Sequence, residues 1–221
     1  LIYENYPFTA YGLHGFVHRP SEILMASKGD QIEEYLLPCV RAERKEFFAL
    51  TEPGAGSDIM SMQTRAERDG DDWIINGSKH FISSPVQADF AILFAVTDVD
   101  ETPRGPRKQI TAFLVDAERE GFSIERGPRC AAQRAYQTFQ LSFDNVRVPH
   151  GKILGEEGKG LDLAGKWLKM GRVWVAAGCC GKAERACWTL LLSGPPAANN
   201  SASLSESFKE LRSSWRIWRR N

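Results

Sequence analysis

Ala88-Asp89-Phe90-Ala91-Ile92-Leu93-Phe94-Ala95-Val96-Thr97 is the stretch on which the fold turns. Phe90, Ile92, Phe94 and Val96 form one alternating set, and Ala91, Leu93 and Ala95 the other. Both sets are apolar, which predicts a strand buried on both faces. Outward from it, the period stays at two from Phe47 to about Leu154. Trp73-Ile74-Ile75-Asn76-Gly77-Ser78-Lys79 predicts a hairpin, because Asn-Gly readily takes the positive φ angles of a type I′ turn. Asp98–Lys108, with Pro103, Gly105, Pro106 and many charges, predicts a solvated loop. Ile110–Val115 and Tyr136–Phe143 predict further strands, and Val146-Arg147-Val148-Pro149 closes the region. Repeated short strands between turn signals predict a small antiparallel barrel or sandwich.

Helical signals flank this region. Pro20 before Ser21-Glu22-Ile23-Leu24 suits a helix start. Asp30 predicts the cap of a second short helix, with Ile32, Tyr35 and Leu36 as its apolar face and Pro38 as its stop. Two such helices cannot bury their own faces and must lean on another layer. After Gly155-Glu156-Glu157-Gly158-Lys159-Gly160 the period is helical again. Leu161, Ala164, Leu168, Gly171, Val175, Cys179, Ala183 and Ala186 form one stripe, on which Cys179-Cys180 reads as core. From about Cys187 the composition changes. Helices, then strands, then helices give an α+β class.

The composition excludes several functions. The 221 residues are 43% hydrophobic, enough for a sizeable core, and 28 Lys+Arg balance 28 Asp+Glu. With a pI near 7.1 there is no electrostatic case for nucleic acid or an anionic membrane surface. No apolar run approaches the roughly 20 residues of a membrane span, and no signal-peptide pattern opens the chain. The five cysteines include no C-x-x-C pair, which argues against a disulfide framework or zinc site and for a reducing compartment. The chain opens on Leu1 rather than Met, as expected of a fragment.

The sharpest local signal is Phe47-Phe48-Ala49-Leu50-Thr51-Glu52-Pro53-Gly54-Ala55-Gly56-Ser57-Asp58. Pro53 stiffens it, the glycines allow tight bends, and Thr51 and Ser57 offer donors to a polar ring edge or a pyrophosphate. By chemistry alone it reads first as a turn and second as a ligand-binding loop. His80 beside Lys79 reads as a surface or core histidine rather than a catalyst. His14, His18 and His150 show no ligand spacing.

This loop, Ile74–Ser83, Phe139–Pro149 and Leu154–Gly160 occur in the order seen in acyl-CoA dehydrogenases. From about Met25 to Ala186 the chain resembles that family. The resemblance implies part of an N-terminal helical domain (1–45), a middle antiparallel β-barrel domain (46–154) and the start of a C-terminal helical domain (155–188). Its cofactor would be FAD, held between barrel and C-terminal helices, and its reaction α,β-dehydrogenation of an acyl-CoA thioester with hydride transfer to flavin N5. Phe48, Leu50 and Thr51 match flavin-lining positions, and Gly56 and Ser57 match the loop meeting cofactor and acyl-CoA. Phe81, Ile82 and Ser83 match an aromatic-Ile-Thr/Ser triplet beside the flavin, the third residue hydrogen-bonding N5. Arg172 matches an arginine near the active site and is a candidate for substrate binding, alongside Ser57; the competing reading is a solvated helix arginine. Where some subfamilies place the catalytic glutamate this chain has Gly171, so no catalytic base is assigned. Ala131-Ala132 before Gln133-Arg134 departs from the family's Met-Gly, which puts the substrate contacts of that loop in doubt.

The implied partners are acyl-CoA, an electron-transferring flavoprotein and further copies of the chain, with no metal. The implied setting is fatty-acid β-oxidation in a bacterial cytoplasm or a mitochondrial matrix. Competing readings are an inactive flavin- or CoA-binding fragment and a flavin oxidase on the same fold. Residues 189–221 read as a non-family, poorly packed tail. The family's Phe-Lys-Leu-Ala-Asp-Met-Ala segment, back-translated and read one base late, becomes Ser-Ser-Trp-Arg-Ile-Trp-Arg, the order of Ser213–Arg219. A +1 frameshift near Cys187 is therefore expected in the encoding DNA; sequencing decides it, and the absence of a family-like frame one base away sinks it.

Overall fold

The computed structural model describes residues 20–83, 85–103, 105–129 and 137–193. The chain divides into two compact units, Leu1–Met170 and Gly171–Asn221. The first contains strands β1 (Glu46–Ala49), β2 (Arg65–Asp69), β3 (Asp72–Ser83), β4 (Phe90–Thr102), β5 (Gly105–Asp116), β6 (Phe122–Arg129), β7 (Gln137–Pro149) and β8 (Ile153–Leu154). They form one curled, half-barrel sheet in the order β6-β7-β3-β2-β4-β5-β8, with β1 alongside β4. Its pairings are antiparallel except β1–β4 and the short β2–β4 contact.

The doubly buried strand expected at 88–97 is the first half of β4. Phe90, Ile92, Phe94 and Val96 join a layer with Ile23, Leu24, Tyr35 and Leu50. Ala91, Leu93 and Ala95 face a second layer with Trp73, Ile75, Phe113 and Val148. One face of the sheet thus receives the helical segments, while the other closes on itself.

Two turn assignments change. Asn76-Gly77 is not a hairpin tip: β3 runs through it, with a register shift against β7 between Ile75 and Gly77. The tip lies at Gly70-Asp71, where Gly70 has φ +63° between β2 and β3. The Asn-Gly glycine has another use. At Gly77 (φ +146°) a Cβ would meet Thr64 Cα at 2.6 Å, so the bare backbone lets two segments touch. Asp98–Lys108 is not a loop either. β4 and β5 continue through it as a paired ribbon, with Asp98 opposite Gln109 and Thr102 opposite Gly105. Its charges reflect an exposed ribbon, since side chains beyond Thr97 no longer reach either core layer.

Ser21 caps a 3₁₀ turn, Glu22–Ala26. Asp30 opens a helical run that passes through a π-helical turn, Ile32–Leu36, into α1 (Leu37–Val40). Pro38 lies inside this run and does not stop it. The Leu37 N–H reaches back to the Ile32 carbonyl, and the Glu34 carbonyl, left without a residue-38 donor, accepts Arg44 Nη1 at 3.0 Å. Tyr35 is the anchor. Its ring meets Phe90 edge-on at 4.7 Å, and its hydroxyl donates to Asp116 at 3.0 Å, which also holds Arg44 at 2.7 Å.

The last helix, α2, spans Gly160–Ser193. In the first unit Leu161, Leu163, Ala164, Trp167 and Leu168 pack on the Phe90–Val96 layer. In the second unit Val173, Val175, Cys179 and Cys180 are exposed. This corrects the expectation that Cys179-Cys180 is core. The helical period sets a stripe, but burial needs a facing layer, and the described residues of that unit supply none. Residues from 194, and with them most of the expected tail, lie outside the described residues, as does the loop carrying Ala131-Ala132 and Gln133-Arg134.

Candidate functional site

The loop after β1 is built to stay open at its tip. Glu52 and Ala55 exchange both backbone hydrogen bonds, N–H to carbonyl at 3.0 and 3.2 Å, closing a tight turn around Pro53-Gly54. Pro53, Gly54, Gly56 and Ser57 are exposed. A Cβ added at Gly54 or Gly56 would meet nothing within 4 Å, so the peptide surface there is bare and approachable. Asp58 ends the loop by accepting from Met60 N at 3.2 Å and Ser61 Oγ at 2.5 Å.

The base of the loop is tied to β3 by charge. Glu52 Oε1 accepts Lys79 Nζ at 2.7 Å and Thr64 N at 3.0 Å; Oε2 accepts Gln63 N at 2.6 Å. Lys79 Nζ also donates to the Leu50 carbonyl at 3.2 Å, and the His80 N–H donates to the Thr51 carbonyl at 2.8 Å. Both side chains of the pair are out of solvent, at 0% and 4% exposure. Burial pulls the Lys79 pKa down, to about 8, with Glu52 opposing. Burial pushes Glu52 up, but the charge and hydrogen bond of Lys79, with the bonds from Thr64 and Gln63, more than reverse it. Its carboxyl is held below the usual range.

Immediately after Lys79 the ladder breaks. Lys79 pairs with Leu141 and Ile82 with Phe139, so His80 and Phe81 together face the single residue Gln140. The bulge puts Phe81 at φ +57° with its ring 56% exposed. An L-residue with a Cβ pays about 1–2 kcal/mol for that backbone conformation. Strain of this kind persists where surrounding contacts over-determine it and clusters at functional sites. The His80 ring meets the Phe81 ring at 4.1 Å, and His80 Nδ1 is buried without a hydrogen-bond partner.

The residues singled out from sequence fall into four places. Thr51, half-buried, and Phe81, Ile82 and Ser83 come together, because residues 50–52 are bonded to residues 79–80. Ile82 is buried in the inner layer, and Ser83 is half-buried opposite Thr138. Phe48 stacks on Trp167 with centroids 4.2 Å apart and lies 4.9 Å from Phe94; Leu50 is buried beside them. Gly56 and Ser57 stand on the exposed turn. Arg172 is exposed on α2 in the second unit. The Glu52–Lys79 pair was not read from sequence as a pair. The available signal was a lysine sharing the strand parity of Trp73 and Ile75. A planar, polar-edged cofactor fits this wall: bare peptide at Gly54 and Gly56, an exposed aromatic at Phe81, hydroxyls at Thr51, Ser57 and Ser83, and a buried imidazole nitrogen still to be satisfied.

Comparison with known proteins identifies the family. Residues 47–146 match the acyl-CoA dehydrogenase middle domain. By this domain the chain belongs to the acyl-CoA dehydrogenase family. Among curated relatives, a 3-(aryl)acrylate reductase of Clostridium sporogenes is 40% identical over 163 residues, covering 74% of this chain and 42% of that protein. Butyryl-CoA dehydrogenase from Megasphaera elsdenii superposes with a TM-score of 0.70 at 32% identity, over 90% of this chain and 55% of that one. A glutaryl-CoA dehydrogenase from Mycobacterium smegmatis, solved in complex with FADH2, has a TM-score of 0.53 at 35% identity, over 61% and 34%. The match spans about two fifths of the length of the first curated relatives.

Proposed function

We propose that residues 47–83 form the flavin-facing wall of an FAD-dependent dehydrogenase acting on acyl-CoA thioesters. The observation that carries this reading is Phe81, an aromatic ring held exposed at φ +57° beside the Thr51–Ser57 loop. FAD, when bound, supplies the redox chemistry by accepting hydride at N5. The chain's own groups bind and orient it. Phe81 offers a ring face, Thr51, Ser57 and Ser83 offer hydroxyl or amide donors, and Gly56 gives close approach. Phe48 and Leu50, in one core layer, and Ile82, in the other, supply apolar backing that keeps water out. Ser57 is the proposed contact to the acyl-CoA.

Removal of the α-proton needs a carboxylate within hydrogen-bond reach. The acids near the loop are engaged elsewhere: Glu52 with Lys79, Asp58 with Met60 and Ser61, Glu157 with Arg68 at 2.6 Å. We therefore assign the base to none of them.

In this reading 1–45 belongs to an N-terminal helical domain, 46–154 is the middle domain and 155–188 begins a C-terminal one. Electrons leave to an electron-transferring flavoprotein, and the protein is a homo-oligomer. Its setting is fatty-acid β-oxidation in a bacterial cytoplasm or a mitochondrial matrix. Among the described residues no helix is long and apolar enough to cross a membrane.

The test is purification with FAD, followed by desalting and a flavin absorption spectrum, beside Phe81→Asn. Asparagine is tolerated at positive φ, so the variant should fold and retain less flavin. A folded chain that retains none, or a variant that retains as much as wild type, defeats the proposal.

A further inference from the structure

The buried ion pair asks for an explanation beyond stability. Replacing such pairs by apolar groups is often neutral or stabilising, because desolvating two charges offsets their attraction. What Glu52 and Lys79 do have is connectivity. Residues 50, 51 and 52 on the loop are bonded to residues 79 and 80 on β3, through Lys79 Nζ to Leu50 O, His80 N to Thr51 O, and Lys79 Nζ to Glu52 Oε1. The same carboxylate gathers the returning chain by accepting the Gln63 and Thr64 amides. The exposed turn Pro53–Ser57 therefore leaves and re-enters one buried carboxylate. The strained Phe81 begins two residues past the lysine that holds it. Apolar side chains at 52 and 79 could fill this space, but none of these five hydrogen bonds sets distance or direction without the two charged groups or the His80 amide they flank.

We propose that Glu52 and Lys79 are positioning residues for flavin binding. Their pair fixes the separation between the Thr51–Ser57 wall and the Phe81–Ser83 wall. The inference rests on the flavin reading given above. Neither residue touches the cofactor in it; both act through the backbone they hold. The free His80 Nδ1 lies on the segment so positioned.

The test compares FAD dissociation constants, by quenching of flavin fluorescence, for wild type, Glu52→Gln and the double variant Glu52→Met/Lys79→Met. Melting temperatures are recorded in parallel. The double variant removes both charges and is expected to keep its fold while binding FAD about tenfold or more weakly, and to lose the wild-type visible circular dichroism of the bound flavin. Glu52→Gln removes the charge and turns one carboxylate oxygen into an amide donor, so it can accept at only one of the two positions that hold the Gln63 and Thr64 amides; its affinity falls, by less than in the double variant, which removes every acceptor and donor of the pair. Tyr35→Phe serves as a destabilised control whose lost hydrogen bond is to Asp116 and not to the loop, and it retains wild-type affinity.

Wild-type affinity in the folded double variant overturns the proposal. If that variant is unfolded, Glu52→Gln decides, and an unchanged constant there overturns it equally. An equal loss in Tyr35→Phe also overturns it, because general destabilisation then accounts for the effect. Absence of FAD binding by folded wild type is a different failure, that of the flavin reading itself.

Discussion

Gly77→Ala puts a methyl group where the fold has no room. Its Cβ would lie 2.6 Å from both Thr64 Cα and Thr64 Oγ1, and 2.8 Å from Thr64 Cβ. Because Cα is backbone, no rotamer change clears it. Overpacking of this kind costs about 1–3 kcal/mol, and φ +146° adds strain for any residue with a Cβ, about 1–3 kcal/mol more. Thr64 cannot yield freely, since its carbonyl accepts Val96 N at 2.8 Å and its amide is held by Glu52. The expected loss is about 2–6 kcal/mol, a large share of the roughly 5–15 kcal/mol that stabilises a domain. Urea unfolding followed by tryptophan emission measures it, Trp73 being buried. Gly56→Ala is the contrast: nothing lies within 4 Å of its Cβ, so stability should change by less than about 0.5 kcal/mol while flavin retention falls. A Gly77→Ala loss below about 1 kcal/mol would refute the close contact with Thr64 and return Asn76-Gly77 to an exposed turn.

Acid should release the loop before the sheet. The Glu52 pKa is lower folded than unfolded, so its contribution is full above about pH 4.3 and is lost as pH falls through the folded value. Urea midpoints from neutral pH downward should drop in wild type and stay flatter in Glu52→Gln; parallel slopes count against the clamp. Tyr35→Phe removes a hydrogen bond to the Asp116 carboxylate and should cost about 1.5–3 kcal/mol in the same assay. Cys39 is buried, and burial followed by the charge of Glu46 pushes its thiol pKa up to about 12. Native-state alkylation read by peptide mass mapping should spare Cys39 and label Cys179 and Cys180, which are exposed.

The doubly buried β4 was legible because its two alternating sets are both apolar, a pattern few other environments tolerate. The Asn76-Gly77 signal misled because the dipeptide chemistry is shared by turns and bulges. Only the tertiary contact with Thr64 separates them, and Asp69-Gly70-Asp71 carried an equal turn signal seven residues earlier. The Asp98–Lys108 ribbon was hidden because composition reports exposure, whereas backbone pairing continues wherever two strands leave a sheet side by side. β2 and β6, rich in Arg and Glu, were missed for the same reason. Pro38 inside a helical run depended on the π turn and on Arg44, a partner six residues downstream. At the site, residue types flagged Thr51 and Ser57, and the family resemblance flagged Phe81. The pairing of Glu52 with Lys79 could not be read from either segment alone, since an ion pair belongs to two stretches 27 residues apart.

Amide hydrogen exchange of the wild-type chain, with and without saturating FAD, tests the flavin-facing wall most directly. Bound cofactor should slow exchange at Thr51–Ser57 and His80–Ser83 and leave the exposed β4–β5 ribbon, Asp98 to Gln109, unchanged. Unaltered exchange at both wall segments in a folded, FAD-saturated chain, or protection confined to other surfaces, would contradict the assignment.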